Sequence, residues 1–203
     1  MAEVAFNKYI EQHLSFLTKF ERVKISLDVD GVLADFYKSI CLRYDKKQVN
    51  VNQFYVPWIK EYIEEVYHDI SFWLNLPTLL TADDIKFSYD YYITALPIQA
   101  KSARIVWLNN NRYADKLVYL SHEKHLVVND MNINVHVDDK LSTCVDIADK
   151  SEYCVPILYL PYYLEYDESK GKNHMYTKEG NLILIARSAD ELNATVDKLN
   201  TII

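Results

Sequence analysis

The stretch Ile25-Ser-Leu-Asp-Val-Asp-Gly-Val-Leu-Ala-Asp-Phe36 constrains this chain more than any other, because an apolar run ends abruptly in two aspartates one residue apart, with a glycine directly behind them. The apolar part reads as a buried strand over residues 23–29. Side chains alternate along a strand, so Asp28 and Asp30 are expected on the same side at its carboxyl end, where open α/β sheets place their ligands. Two like charges that close need a cation. Gly31 lets the chain leave the strand through a conformation closed to other residues, and Val32 to Phe36 are expected to begin a helix whose N–H groups face an anion. This is the layout of a magnesium-dependent phosphoryl-transfer site.

The chain's 203 residues fit one domain, and half of them are hydrophobic, enough for a real core. Lys and Arg number 22 against 29 Asp and Glu, so the net charge of -7 argues against a nucleic-acid polymer as the main partner, while a small phosphate can still bind locally. Cys41, Cys144 and Cys154 are odd in number and lack metal-ligand spacing, which fits buried thiols in a reducing compartment. The first residues show no basic region followed by an apolar core, and no apolar run approaches membrane-spanning length, so the expectation is a soluble, cytoplasmic protein with no membrane partner.

Residues 2–20 carry apolar residues near helical spacing and predict an amphipathic helix before the first strand. A helix over about 35–44 follows that strand. Residues 45–85 are polar, aromatic and partly helical, most clearly over 57–68, and predict a small helical cap. Alternation then resumes with strand 91–94, helix 98–110, strands 117–120 and 133–137, helix 143–149 and strand 156–160. Such alternation implies a parallel sheet covered on both faces. The Tyr-, Lys- and Glu-rich stretch between Leu160 and Asn181 is expected to be unstructured. A strand over 182–185 and a helix capped by Ser188, with Glu191 reaching back, close the chain.

Three later strand ends carry residues that phosphoryl transfer can use. Thr94 places a hydroxyl where it can donate to a phosphate oxygen. Lys124, after the third strand, is placed to neutralise phosphate charge as a compact cation; Lys101 and Lys116 compete less well, since one begins a helix and the other precedes its strand. His122 and His125 flank it without the further His or Cys that a zinc site needs. Val135-His-Val-Asp-Asp139 is a second strand ending in carboxylates, and Asp138 and Asp139 can share one Mg²⁺ with the first pair through hard oxygen ligands.

Taken together, Asp28-Val-Asp-Gly-Val-Leu-Ala-Asp-Phe36 resembles motif I of the haloacid dehalogenase superfamily of phosphatases, and in its longer form the 5'(3')-deoxyribonucleotidase branch. Thr94, Lys124 and the Asp138-Asp139 pair resemble motifs II, III and IV, and the likeness runs over about residues 23–165. It implies a Rossmann-like core, 1–44 and 86–203, with the cap at 45–85. It further implies an aspartyl-phosphate mechanism with Asp28 as nucleophile, Asp30 as general acid and base, and Mg²⁺ held by Asp28, the Asp30 main chain and the Asp138/Asp139 pair. Which of that pair binds directly stays open. Gln53-Phe-Tyr-Val56 and Val66-Tyr-His-Asp-Ile-Ser-Phe-Trp-Leu-Asn-Leu76 resemble the family's cap segments, and this nominates Phe36, Phe54, Tyr55 and Tyr67 as nucleobase contacts. Many deoxyribonucleotidases have a serine where this chain has Ala95, so the phosphate would lose one side-chain donor there and keep the backbone N–H. The expected substrate is a deoxynucleoside monophosphate. A sugar phosphate, a nucleic-acid 3'-phosphate and a catalytically weak binding protein on the same fold are the alternatives, and homodimerisation stays open.

Overall fold

A computed structural model describes residues 8–47, 58–160 and 170–203. Seven strands form one sheet: β1 (Ile25–Leu27), β2 (Tyr91–Thr94), β3 (Leu117–Leu120), β4 (Val135–Asp138), β5 (Val155–Tyr159), β6 (His174–Tyr176) and β7 (Leu182–Ala186), in the order β3-β2-β1-β4-β5-β7-β6. All neighbouring pairs run parallel except β6 with β7. Helices flank this mixed, mostly parallel sheet: α1 (Lys8–His13), α2 (Phe36–Arg43), α3 (Ile59–His68), α4 (Ile70–Leu74), α5 (Lys101–Asn110), α6 (Lys124–Asp130), α7 (Leu141–Lys150) and α8 (Ala189–Asn200). The central strands β1, β4, β5 and β7 are buried along their whole length. That is why Leu182-Ile-Leu-Ile-Ala186 reads as a continuous apolar run with no polar alternation.

The strand order sets up the site. From β1 the chain moves outward on one side through β2 and β3, then returns to the other side of β1 with β4 and continues to β5. Connections leaving β1 and β4 therefore part in opposite directions and open a crevice at their carboxyl ends, the usual ligand position in such sheets. Leu27 sits opposite Val137, and the Asp28 N–H donates to the Val137 carbonyl at 2.8 Å, so the acidic ends of the two strands lie side by side.

Several elements depart from the expectations. The N-terminal segment is a short α1 followed by a 3₁₀ turn at Ser15–Lys19, which bury Ile10, Leu14 and Leu17 in the core; residues 1–7 lie outside the described residues. The helix expected over about 35–44 is α2, while the earlier start anticipated at Val32 is not helical. Residues 29–34 instead fold into a turn in which the Leu33 and Ala34 N–H groups donate to the Val29 carbonyl, and Asp35 caps α2 by accepting from Lys38. A carboxylate rather than a bound anion meets that helix end.

The stretch expected to be unstructured contains β6, so the sheet is not wholly parallel. Its hairpin to β7 is closed between Thr177 and Asn181, with Gly180 at φ +87°, and Asp149 accepts from both the Thr177 hydroxyl and the Asn181 amide. Helix α6 lies between the third and fourth strands, where no element is expected from the sequence, and buries Val128. The helix expected over 57–68 is α3, with α4 behind it, and Arg43 of α2 ties this unit down through ion pairs to Glu65 at 3.0 Å and to Asp69. All three cysteines are buried and free. Among the described residues no helix is long and apolar enough to cross a membrane.

Candidate active site

The carboxyl ends of β1 and β4 deliver Asp28, Asp138 and Asp139 to one point, where an oxygen of each lies within 4.8 Å of the others, all three side chains being buried. Gly31 makes this approach feasible. Its φ of +87° lies in the left-handed region, and a Cβ added there would stand 2.0 Å from Asp139 Oδ2, so the carboxylate occupies the space that any other residue would fill.

Lys124, the first residue of α6, reaches into the cluster. Its Nζ pairs with Asp28 Oδ2 and Asp138 Oδ2, each at 2.6 Å, and the side chain is almost wholly buried. Asp138 is held on both oxygens: Oδ1 accepts from the Lys140 N–H at 2.8 Å, and Oδ2 also meets His136 Nε2 at 3.2 Å. A carboxylate only accepts, so that nitrogen carries the proton, and His136 Nδ1 accepts from the Ser26 hydroxyl at 2.8 Å. Burial holds the imidazole below its ordinary pKa, which keeps it in this neutral, single-donor form.

The charges here do not balance. One ammonium faces three carboxylates, and in a buried place the excess is costly. Burial, reinforced by Asp138 and opposed by Lys124, pushes the Asp28 carboxyl up to about 7. Burial, then the Asp138 and Asp28 charges, raise Asp139 well above the usual carboxylate range. Burial acts on Asp138 in the same sense, but Lys124 and His136 outweigh it and hold that carboxyl below the range. Lys124 is raised, because Asp138 and Asp28 outweigh the effect of its burial. Three convergent hard oxygen donors with surplus negative charge suit a small divalent cation such as Mg²⁺. Asp28, Asp138 and Asp139 are the side chains that could meet it.

Asp30 stands apart from this cluster. Its Oδ1 pairs with Arg104 Nη2, and its Oδ2 lies 3.5 Å from the Thr94 hydroxyl. Arg104 belongs to α5 and is fully buried, with its guanidinium carbon 5.4 Å from the Trp73 ring and 5.2 Å from the Trp107 ring. A desolvated cation against an indole gains about 2 kcal/mol.

A cavity of about 320 Å³ opens over these groups. Asp28, Asp30, Gly31, Thr94, Ala95, Lys124, Asp138 and Asp139 form its polar floor, and Phe36, Tyr37, Ile59, Ile63, Tyr67 and Trp73 form an apolar wall. Phe36 is half-buried and stacks on Trp73 at 5.8 Å with an interplanar angle of 17°. No protein-family model matches the chain, and no curated protein does.

The structure thus brings together every sequence-nominated residue that it describes. Phe54 and Tyr55 lie outside the described residues. Arg104, His136 and Trp73 are additions to the nominated set. His136 carried a usable signal, since a histidine inside an apolar strand shares its face with the residue two positions on, here Asp138. Arg104 carried one too: it lies on the buried face of α5 with Ala103, Trp107 and Leu108, where a cation requires an anion.

Proposed function

We propose that this protein is a magnesium-dependent phosphomonoesterase of the haloacid dehalogenase type, acting on deoxynucleoside monophosphates through an aspartyl-phosphate. One observation carries the proposal: Asp28, Asp138, Asp139 and Lys124 converge at the point where the strand order reverses, while Asp30 faces the same cavity with a separate partner set. On this reading the core is Rossmann-like, with residues 45–85 forming a helical cap.

In the proposed reaction an Asp28 carboxylate oxygen attacks phosphorus, forming the acyl-phosphate bond as the bond to the leaving oxygen breaks. Asp30 gives its proton to that oxygen. Asp30 then takes a proton from a water that attacks phosphorus, which breaks the acyl-phosphate bond, returns Asp28 and releases inorganic phosphate. Lys124 keeps Asp28 oriented, Thr94 and the main chain at Ala95 meet the phosphate oxygens, and His136 with Lys140 fixes Asp138. Asp28, the Asp138/Asp139 pair and the Asp30 main chain would hold Mg²⁺, which would supply charge compensation for the transferring phosphoryl group.

The apolar wall supports a nucleoside over a sugar phosphate. A base against Phe36 and Tyr67 gains about 1–3 kcal/mol per aromatic contact, by the measure of stacking in nucleic-acid complexes, whereas that wall offers a sugar hydroxyl no polar group beyond the tyrosine hydroxyls. The net charge of -7 weighs against a nucleic-acid 3'-phosphate. Retention of every carboxylate weighs against a non-catalytic binder. A phosphate-release screen over nucleotides and sugar phosphates, with and without Mg²⁺, tests the proposal; release from sugar phosphates in preference to every nucleotide would move the substrate class.

A further inference from the structure

Resting on the phosphatase reading, we propose that Arg104 is a positioning residue that fixes which oxygen of Asp30 exchanges the proton. The guanidinium holds Asp30 Oδ1, leaving Oδ2, beside the Thr94 hydroxyl, as the oxygen presented to the cavity. Its own freedom is limited by Trp73 and Trp107, whose rings lie 5.4 and 5.2 Å from the guanidinium carbon. Each indole is pinned in turn, Trp73 Nε1 donating to the Val66 carbonyl at 2.9 Å and Trp107 Nε1 to the Leu76 carbonyl at 2.7 Å. The cation is therefore locked before substrate arrives, and the carboxylate it holds inherits that order.

Stability alone does not account for this arrangement. A buried ion pair gains little over a well-packed apolar residue of similar volume, and α5 already buries Ala103, Trp107 and Leu108 on this face. Geometry does account for it. As the phosphorus–oxygen bond breaks, its electron pair stays on the leaving oxygen, which takes the proton from Oδ2 while Oδ1 remains bonded to Arg104. Misplacement of Oδ2 would impair that transfer and leave the attack by Asp28 intact.

The test compares kcat/KM for a deoxynucleoside monophosphate, whose alkoxide leaves only with a proton, and for p-nitrophenyl phosphate, whose phenolate leaves without one. General acid catalysis is worth about 10²–10⁴-fold, so Arg104→Met is expected to lose about 100-fold on the nucleotide through kcat, with KM little changed, and less than about 10-fold on the aryl ester. Arg104→Lys keeps the charge but loses the planar fork, and should show the same split at smaller size. It carries the test if the methionine variant fails to fold. Equal losses on both substrates in a folded variant would mean that Arg104 only supports packing, and would overturn the assignment. A wild-type protein that hydrolyses neither ester with Mg²⁺ present would overturn the phosphatase reading itself, and with it this role.

Discussion

Gly31 measures how tightly the carboxylate cluster is built. Replacing it by alanine places a Cβ within 2.0 Å of Asp139 Oδ2 and forces a left-handed backbone on an L residue. Gly31→Ala should therefore cost about 1–3 kcal/mol of stability in a denaturant titration and weaken Mg²⁺ binding read by calorimetry. Unchanged metal affinity would mean that Asp139 is not a ligand. Asp28→Asn should abolish turnover in a protein that stays folded, because an amide neither attacks phosphorus nor matches the charge of a cation; phosphate release near the wild-type rate would remove Asp28 from the nucleophile role. Asp28, Asp30, Asp138 and Asp139 were legible in the sequence because a carboxylate ending an apolar run serves no core purpose. The pairing of Asp30 with Arg104 was not, since the two lie far apart in sequence and only the fold brings α5 to the turn after β1.

Strand β1 is only three residues long, and its start is fastened from outside. Asp90 Oδ2 accepts from the Ile25 N–H at 3.0 Å, and Arg22 grips both oxygens at 3.1 and 2.7 Å. Burial works to raise the Asp90 carboxyl, but the Arg22 and Ile25 hydrogen bonds outweigh it and hold the pKa below the ordinary value. The folded value thus lies under the unfolded one, so this stabilisation is present above the ordinary carboxylate pKa and is lost as pH falls through the folded one. Asp90→Ala should cost about 1–2 kcal/mol at neutral pH, the exposed Arg22 adding little beyond the bond to the main chain. The difference from wild type should vanish in acid; a penalty that persists there would mean that Asp90 acts by packing. Strands with long buried runs, such as β7, and helices with a capping signal, such as α8 behind Ser188, could be read from the sequence. Strand β6 could not, because three half-buried residues, His-Met-Tyr, show neither alternation nor an apolar run. The turn before α2 escaped as well, since a tight turn at Val29–Ala34 and a first helical turn share the same small and apolar residues.

The reversal of strand order at β1 brings a charged floor and an apolar wall into one cavity, and on the proposed reading the two divide the work between chemistry and substrate choice. Phe36 belongs to the wall, where it stacks on Trp73 and faces the opening. Phe36→Ala should raise KM for a deoxynucleoside monophosphate by about 5- to 150-fold, the equivalent of about 1–3 kcal/mol of lost stacking, while hydrolysis of a small phosphate ester stays nearly unchanged. Equal losses on both would assign Phe36 to packing alone. A mostly parallel sheet and the acidic floor could be anticipated from alternation and from strand ends, whereas the order of the strands could not. The wall could be anticipated only in part, because Ile59, Ile63 and Trp73 look like the core of a small helical unit until the fold turns them toward Asp28. The most direct measurement is inorganic phosphate released from deoxynucleoside monophosphates by metal-stripped protein, before and after Mg²⁺ is added back, with Asp28→Asn run alongside. The account predicts no release without the metal, restoration with it, and none from the variant under either condition. Full release after demonstrated removal of the metal, or equal release by the variant, would contradict it.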